Sequence, residues 1–135
     1  MSNPINIEIH NVVETFTHLG PNGTAIPLPV NDSFWEKLAT GGFDSLGSGR
    51  LVSTYDFKAD WNNWEMHPEG EELVVLLSGA MDFVLAVDDH EKVVALQNPG
   101  QFLVVPRGIW HTANIAQEAL ALFITQGENT QHRAR

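Results

Sequence analysis

The sequence predicts an all-β protein of the barrel or sandwich type, and three observations support this fold class. Short runs that are apolar or alternate between apolar and polar residues recur at regular spacing, as at residues 50–57 and 80–87. Clusters of turn-forming residues separate these runs, for example at 98–100 and 106–108. The chain also contains a single helical pattern. Many short strands with turn signals between them are typical of all-β barrels and sandwiches.

The first fifty residues contain a weak strand pattern and the helical pattern. Residues 1–10 alternate through isoleucines at positions 5, 7 and 9, which is typical of an edge strand. Ser33 is followed three residues later by Glu36, a spacing that predicts a capping box at the start of one short helix. The loop at 41–49 then leads into the predicted barrel.

The remaining strands follow one another closely. Residues 73–78 are apolar on both faces, which predicts a strand covered on both sides by a second sheet or a partner chain. Residues 80–87 alternate clearly, and Asp88-Asp89-His90 predicts a hairpin turn into residues 92–97. We therefore divide the chain into an N-terminal arm with the short helix and a loop (1–49), a barrel (50–126) and a polar tail (127–135) that is expected to be disordered.

Composition limits the classes of function. A chain of 135 residues with 43% hydrophobic residues is most simply one folded domain. Its formal charge of -10, from 17 acidic and 7 basic residues, argues against binding nucleic acid. We find neither a run of membrane-spanning length nor a signal-peptide pattern, and therefore expect a cytoplasmic protein without a membrane role. Because cysteine is absent, any metal must bind through His, Asp or Glu.

Two short stretches contain the candidate ligands. Glu65 and His67 are two residues apart, so their side chains leave the same face of a strand. The turn at 68–70 lets the chain fold back, which brings Glu72 over the same interior from the adjacent strand. A fourth candidate, His111, opens a strand after the turn at 106–108. Imidazole and carboxylate together are a normal ligand set for Fe(II), Mn(II), Ni(II) or Zn(II).

The spacing of these residues resembles the two motifs of the cupin superfamily, G-x5-H-x-H-x3,4-E-x6-G and G-x5-P-x-G-x2-H-x3-N. The matching positions are His67, Glu72, Gly79, Gly100, Pro106, Gly108 and His111. Glu65 stands where the family usually has its first histidine, Ala59 replaces the leading glycine, and Asn114 comes one residue before the usual asparagine. The resemblance covers roughly residues 50–126. It implies a cupin-type double-stranded β-helix, or jelly-roll, barrel with one short N-terminal helix.

The resemblance also implies one divalent metal ion per chain, held by Glu65, His67, Glu72 and His111. Three roles are open for Glu65: a direct ligand, a catalytic general base beside a triad of two histidines and one carboxylate, or an outward-facing residue paired with a surface cation. His10, His18, His90 and His132 are interpreted as structural.

Three classes of function are compatible with such a site. The first is a metal-dependent enzyme acting on a small molecule in the barrel, either an oxidoreductase of the dioxygenase kind, which we favour, or an isomerase or epimerase. The second is a non-catalytic cupin that binds or senses a small ligand. The third is a storage-like structural barrel, which the polar cluster argues against. Strands that are apolar on both faces and an N-terminal arm that the barrel does not explain both need cover, and the resemblance to the family points the same way, so we also predict a homodimer.

Overall fold

The computed structural model describes residues 5–135 and consists mainly of antiparallel strands. Residues 1–4, the start of the predicted edge strand, lie outside the described residues. The helix is α1 (Phe34–Ala39). The strands are β1 (Thr15–Leu19), β2 (Ala25–Pro29), β3 (Arg50–Phe57), β4 (Asn63–Met66), β5 (Glu72–Gly79), β6 (Met81–Val87), β7 (His90–Leu96), β8 (Phe102–Val105), β9 (His111–Asn114), β10 (Ala119–Thr125) and β11 (Gln131–Ala134).

The strands form two sheets that face each other. Sheet A has the order β2-β1-β3-β10-β5-β8, and sheet B has the order β11-β4-β9-β6-β7. Every pairing between neighbouring strands is antiparallel. This architecture confirms the predicted all-β jelly-roll barrel with one short helix.

The core lies between the two sheets. Alternate residues of β5 and β6 point inward, so Val74 and Leu76 of sheet A pack against Met81 and Phe83 of sheet B. The hairpin between β6 and β7 turns at Asp88 and Asp89, which both adopt positive φ as a two-residue hairpin loop of this kind requires. This turn fixes the register that keeps the apolar face of β6 inside.

The outer face of sheet A is also apolar. Leu73 and Val75 of β5 pair with Val104 and Phe102 of β8, and the last two are 47% and 62% exposed. The sequence predicted a cover on both faces of β5; within residues 5–135 its inward side chains are buried, whereas Leu73 and Val75 on the outer face are only partly buried. The homodimer stays a prediction, and this exposed apolar face is one surface that a partner could cover.

Three local predictions for the ends of the chain are wrong. Residues 5–10 form no strand, and their isoleucines are exposed; the first strand is β1 instead. The Ser33 hydroxyl donates to Asn31 Oδ1 rather than capping α1. The polar tail is not disordered, because its residues 131–134 form β11 on the edge of sheet B. No helix within the described range is long and apolar enough to cross a membrane.

Candidate metal centre

The four predicted ligands meet between the two sheets, and we call them the His-Glu cluster: Glu65, His67, Glu72 and His111. Glu65 lies in β4 directly opposite His111, the first residue of β9, and His67 follows β4 immediately. Glu72 is the first residue of β5 in sheet A. The two strands expected to be adjacent, β4 and β5, therefore lie in different sheets, and Glu72 reaches the histidines across the barrel.

A tight turn before β9 places His111 beside His67. The backbone N–H of Gly108 donates to the carbonyl of His67 at 3.0 Å, which ties the turn to the end of β4. Gly108 has φ of 77°, a left-handed conformation that favours glycine. The rings of His67 and His111 consequently lie 5.3 Å apart between centroids.

The distances within the His-Glu cluster suit a shared ion. Glu72 Oε2 lies 3.2 Å from His67 Nε2, and Glu72 Oε1 lies 3.3 Å from His111 Nε2. Two ligand atoms that are each about 2.1 Å from one ion are separated by about 3.0 to 3.4 Å at octahedral to tetrahedral angles. Glu65 Oε2 is farther from His67 Nε2, at 3.8 Å, but the ligand atoms of Glu65, His67 and His111 all lie within 4.8 Å of one another.

Three of the buried atoms in the cluster lack a hydrogen-bond partner. These are Nε2 of His67, Nε2 of His111 and Oε1 of Glu72; their short mutual distances do not have the directions of hydrogen bonds, and the described residues offer no other partner. Nearly all buried polar groups in proteins are paired. The opposite nitrogen of His111, Nδ1, donates to the carbonyl of Ile109 at 3.0 Å, so in the neutral ring the Nε2 lone pair is directed into the cluster. Such a donor set fits a divalent cation.

The cluster also shifts the proton affinities of its members. Burial disfavours the charged carboxylate of Glu72, but the contacts and charges of His111 and His67 outweigh this and lower its pKa to about 2. Burial likewise disfavours the protonated form of His111, yet the contact with Glu72 and its negative charge raise the pKa of His111 above the ordinary value. Without a metal, this geometry therefore favours a buried ion pair between the two side chains.

Solvent reaches the cluster from the side of Glu65. The side chains of His67, Glu72 and His111 are almost completely buried, whereas that of Glu65 is 29% exposed. A small molecule would therefore approach past Glu65. On the inner side, the ring of Trp61 lies 6.0 Å from that of His111, and its buried indole N–H lacks an acceptor among residues 5–135.

Sequence reasoning missed three polar contacts of the cluster, the first of which joins the Thr130 hydroxyl to His67 Nδ1 at 2.8 Å. The Thr125 hydroxyl donates to Glu72 Oε2 at 2.6 Å. His132, interpreted as structural, places Nε2 at 3.3 Å from Glu65 Oε1. A signal for the contacts of Thr130 and His132 was available, because these two residues are two apart in sequence and so leave the same face if that segment is a strand.

Comparison with known proteins supports the fold and leaves the activity open. The sequence matches no protein-family model and no curated protein. The S161A mutant of Bacillus subtilis oxalate decarboxylase is similar in structure, with a TM-score of 0.53 and 15% identity over 70% of this chain and 26% of that chain. Hydroxypropylphosphonic acid epoxidase from S. wedmorenis has a TM-score of 0.50 and 15% identity over 56% of this chain and 42% of that chain.

A third similar structure is a cupin-2 domain containing protein from Shewanella frigidimarina, with a TM-score of 0.48 and 19% identity over 57% of this chain and 70% of that chain. This chain spans less than half the length of the decarboxylase and of the epoxidase, and all three identities are below 20%. The structural similarity therefore supports the fold and not a particular activity. The two antiparallel sheets, together with this likeness, show that the chain is a small domain with a cupin-type fold.

Proposed function

We propose that this protein is a metal-dependent cupin enzyme that carries out dioxygenase-type oxidoreductase chemistry on a small molecule. The observation that carries the proposal is the convergence of three buried, unpartnered donor atoms, the Nε2 atoms of His67 and His111 and Oε1 of Glu72. Leaving such atoms without partners is costly, and one divalent ion would satisfy all of them. Two histidines with one or two carboxylates resemble the ligand sets of non-haem Fe(II) oxygenases.

The proposal assigns three residues of the cluster to metal binding and gives Glu65 a role as ligand or base. His67, Glu72 and His111 would hold Fe(II) or Mn(II), with Ni(II) and Zn(II) as alternatives. When bound, such an ion would supply Lewis acidity and, for iron or manganese, one-electron chemistry. Bacillus subtilis oxalate decarboxylase, one of the similar folds, is described with Mn(II) centres. Glu65 stands on the exposed side, where it is either a fourth ligand or the base that takes a proton from the substrate.

The electrostatics of the site favour an uncharged or singly charged substrate. Two carboxylates, Glu65 and Glu72, offset the double charge of the ion, so the loaded site is close to neutral when both are ionised. Trp61 offers an indole N–H donor from the inner wall. A site with a few placed polar groups in an apolar surrounding is typical of small-molecule pockets.

The proposal is tested by metal analysis followed by a probe for an open coordination position. We expect the purified protein to bind about one divalent ion per chain, measured by elemental analysis after dialysis. The Fe(II)-loaded protein, kept without oxygen and exposed to nitric oxide, should then give the electron paramagnetic resonance signal of an iron–nitrosyl complex. Absence of bound metal would refute the proposal. Metal without nitrosyl formation would instead favour a non-catalytic ligand-binding cupin.

Metal binding should strengthen as pH rises from 5.5 to 7.5. His111 must lose its proton to bind an ion, and its raised pKa keeps that proton on the metal-free protein to a higher pH than in a free histidine. Glu72, with a pKa of about 2, stays ionised throughout this range and does not contribute to the change.

The same shifts set the expected stability of the metal-free protein. A raised pKa for His111 stabilises the fold below pH 6.5, and this contribution is lost as pH rises through the folded value. A lowered pKa for Glu72 stabilises the fold above pH 4.5, and this contribution is lost as pH falls toward 2. The difference in Tm between Zn(II)-loaded and metal-free protein should therefore widen from pH 5.5 to 7.5. A constant difference would contradict the assignment of His111 as a ligand.

A further inference from the structure

Residues 127–135, which we call the C-terminal segment, run along the edge of sheet B beside the His-Glu cluster. All four residues of β11 pair with β4, and His132 lies directly opposite Glu65. Glu65 therefore has His111 on one neighbouring strand and His132 on the other. Almost nothing apolar on β11 explains this docking, because all of its residues are exposed. Its polar contacts with the residues around the cluster therefore need an explanation.

The first such contact orients the ring of His67 and sets its tautomer. The Thr130 hydroxyl donates to the carbonyl of Gly127 at 2.8 Å, so only its lone pairs are left for His67 Nδ1, also at 2.8 Å. His67 must then carry a hydrogen on Nδ1 and donate it to Thr130. In a neutral imidazole this leaves Nε2 without a hydrogen and with its lone pair directed at Glu72. That is the form of histidine that a metal requires.

The second contact divides the two oxygens of Glu65. His132 Nε2 lies 3.3 Å from Oε1, while the other oxygen, Oε2, faces His67 at 3.8 Å. A histidine on the outer oxygen leaves one oxygen for the interior and opposes binding of the ion by both. The side chain of His132 is 53% exposed, so it stands at the opening through which a small molecule would approach.

The C-terminal segment is fixed at both ends. At the start, Asn129 donates to Glu69 Oε1 at 3.1 Å, and Gly70 packs so closely on Gln126 that a Cβ would lie 2.9 Å from the Cβ of that residue. At the end, Arg135 donates to the carbonyls of Trp61 and Ala113 at 3.1 and 3.2 Å. These anchors place Thr130 and His132 beside the cluster.

From these contacts we infer that the C-terminal segment is part of the metal centre, with Thr130 and His132 as positioning residues for His67 and Glu65. Thr130 holds His67 in the tautomer that binds an ion, and His132 holds Glu65 with a single oxygen directed inward. The inference rests on the metal site proposed above and extends it to residues outside both sequence motifs. It assigns a role to a segment that the sequence suggested was a tail.

The inference is tested with Thr130→Val, which keeps the shape of the side chain and removes the acceptor, and Thr130→Ser, which restores the hydroxyl. Loss of such an outer partner usually weakens metal binding by about 10- to 100-fold. We expect this loss of Zn(II) affinity for Thr130→Val in a competitive titration, and recovery to within about threefold for Thr130→Ser. His132→Ala should change the visible spectrum of the Co(II)-loaded protein, because Glu65 is then free to bind through both oxygens. Gln131→Ala, on the same strand and exposed, is the control and should change neither.

The outcomes separate this inference from the proposed function. If the unaltered protein binds no metal, the proposed function fails and the inference fails with it. If the unaltered protein binds metal and Thr130→Val binds it equally well with an unchanged spectrum for His132→Ala, the inference alone is refuted. A purely structural role would lower the Tm of the metal-free protein and leave the Co(II) spectrum unchanged. Should Thr130→Val not fold, the spectrum of His132→Ala decides, since the exposed His132 is replaced with little effect on packing.

Discussion

His111→Ala should abolish stoichiometric metal binding. The imidazole of His111 is completely buried, and its Nδ1 contact with Ile109 directs Nε2 at Glu72. Loss of a residue that only orients a ligand already costs about 10- to 100-fold in affinity, so loss of a ligand itself should cost at least about 100-fold. Elemental analysis after dialysis and a competitive Zn(II) titration measure the effect.

The control for this variant is His90→Ala, which removes an exposed histidine at the start of β7 and should leave metal binding unchanged. The barrel of His111→Ala should remain folded, because the core around Val74, Leu76 and Phe83 is apolar. The metal-free variant should nevertheless be less stable, since Glu72 keeps a buried charge with one partner fewer. Full metal occupancy in His111→Ala would show that the ion binds elsewhere.

The parts of the site that sequence could predict are those fixed by nearby turns. Gly108 must adopt positive φ, and its N–H holds the end of β4, so the distance in sequence from the turn to His111 determines the position in space. The same holds for Glu72, which follows the turn at 68–70 and opens β5. Such local geometry appears in the sequence as fixed spacing between turn residues and ligands.

The parts that sequence did not predict depend on contacts between distant segments. β11 has the sequence Gln-His-Arg-Ala and every residue is exposed, so it has no apolar alternation to mark it as a strand. β4 offers it an edge to pair with, Arg133 packs over the ring of Trp110, 4.3 Å from the ring centroid, and the polar contacts described above tie it to the cluster. Residues 5–10 show the converse: their isoleucines alternate, yet these residues form no strand and their side chains are exposed.

The pairing of strands within the two sheets was a second feature that the sequence did not predict. Sequence placed Glu65, His67 and Glu72 over one interior, which is how the structure has them. It also described β4 and β5 as adjacent, whereas β4 pairs with β9 and β11, and β5 pairs with β8 and β10. A turn in the sequence predicts that the chain changes direction. Which strand then pairs with which depends on contacts throughout the barrel.

Glu65→His should change which metals the protein prefers. This substitution introduces the residue that cupins usually have at this position and removes one negative charge from the site. Glu65 lies within ligand distance of His67 and His111, and its inner oxygen is directed at them, so we expect it to be a ligand. Replacing a hard oxygen with an imidazole nitrogen should then shift preference from Mn(II) toward Ni(II) or Zn(II). Competitive titrations of both proteins with Mn(II) and Zn(II) measure the shift.

The two roles of Glu65 predict different results for this variant. If Glu65 is a base that never contacts the ion, metal preference should stay the same, while turnover falls by about 100-fold or more, the usual scale for loss of a general base. Glu71→His is the matched control, because Glu71 is an exposed carboxylate next to Glu72 and its replacement should affect neither quantity. Unchanged preference together with unchanged turnover in Glu65→His would exclude Glu65 from the site, and His132 would then hold a carboxylate that has no part in binding the ion.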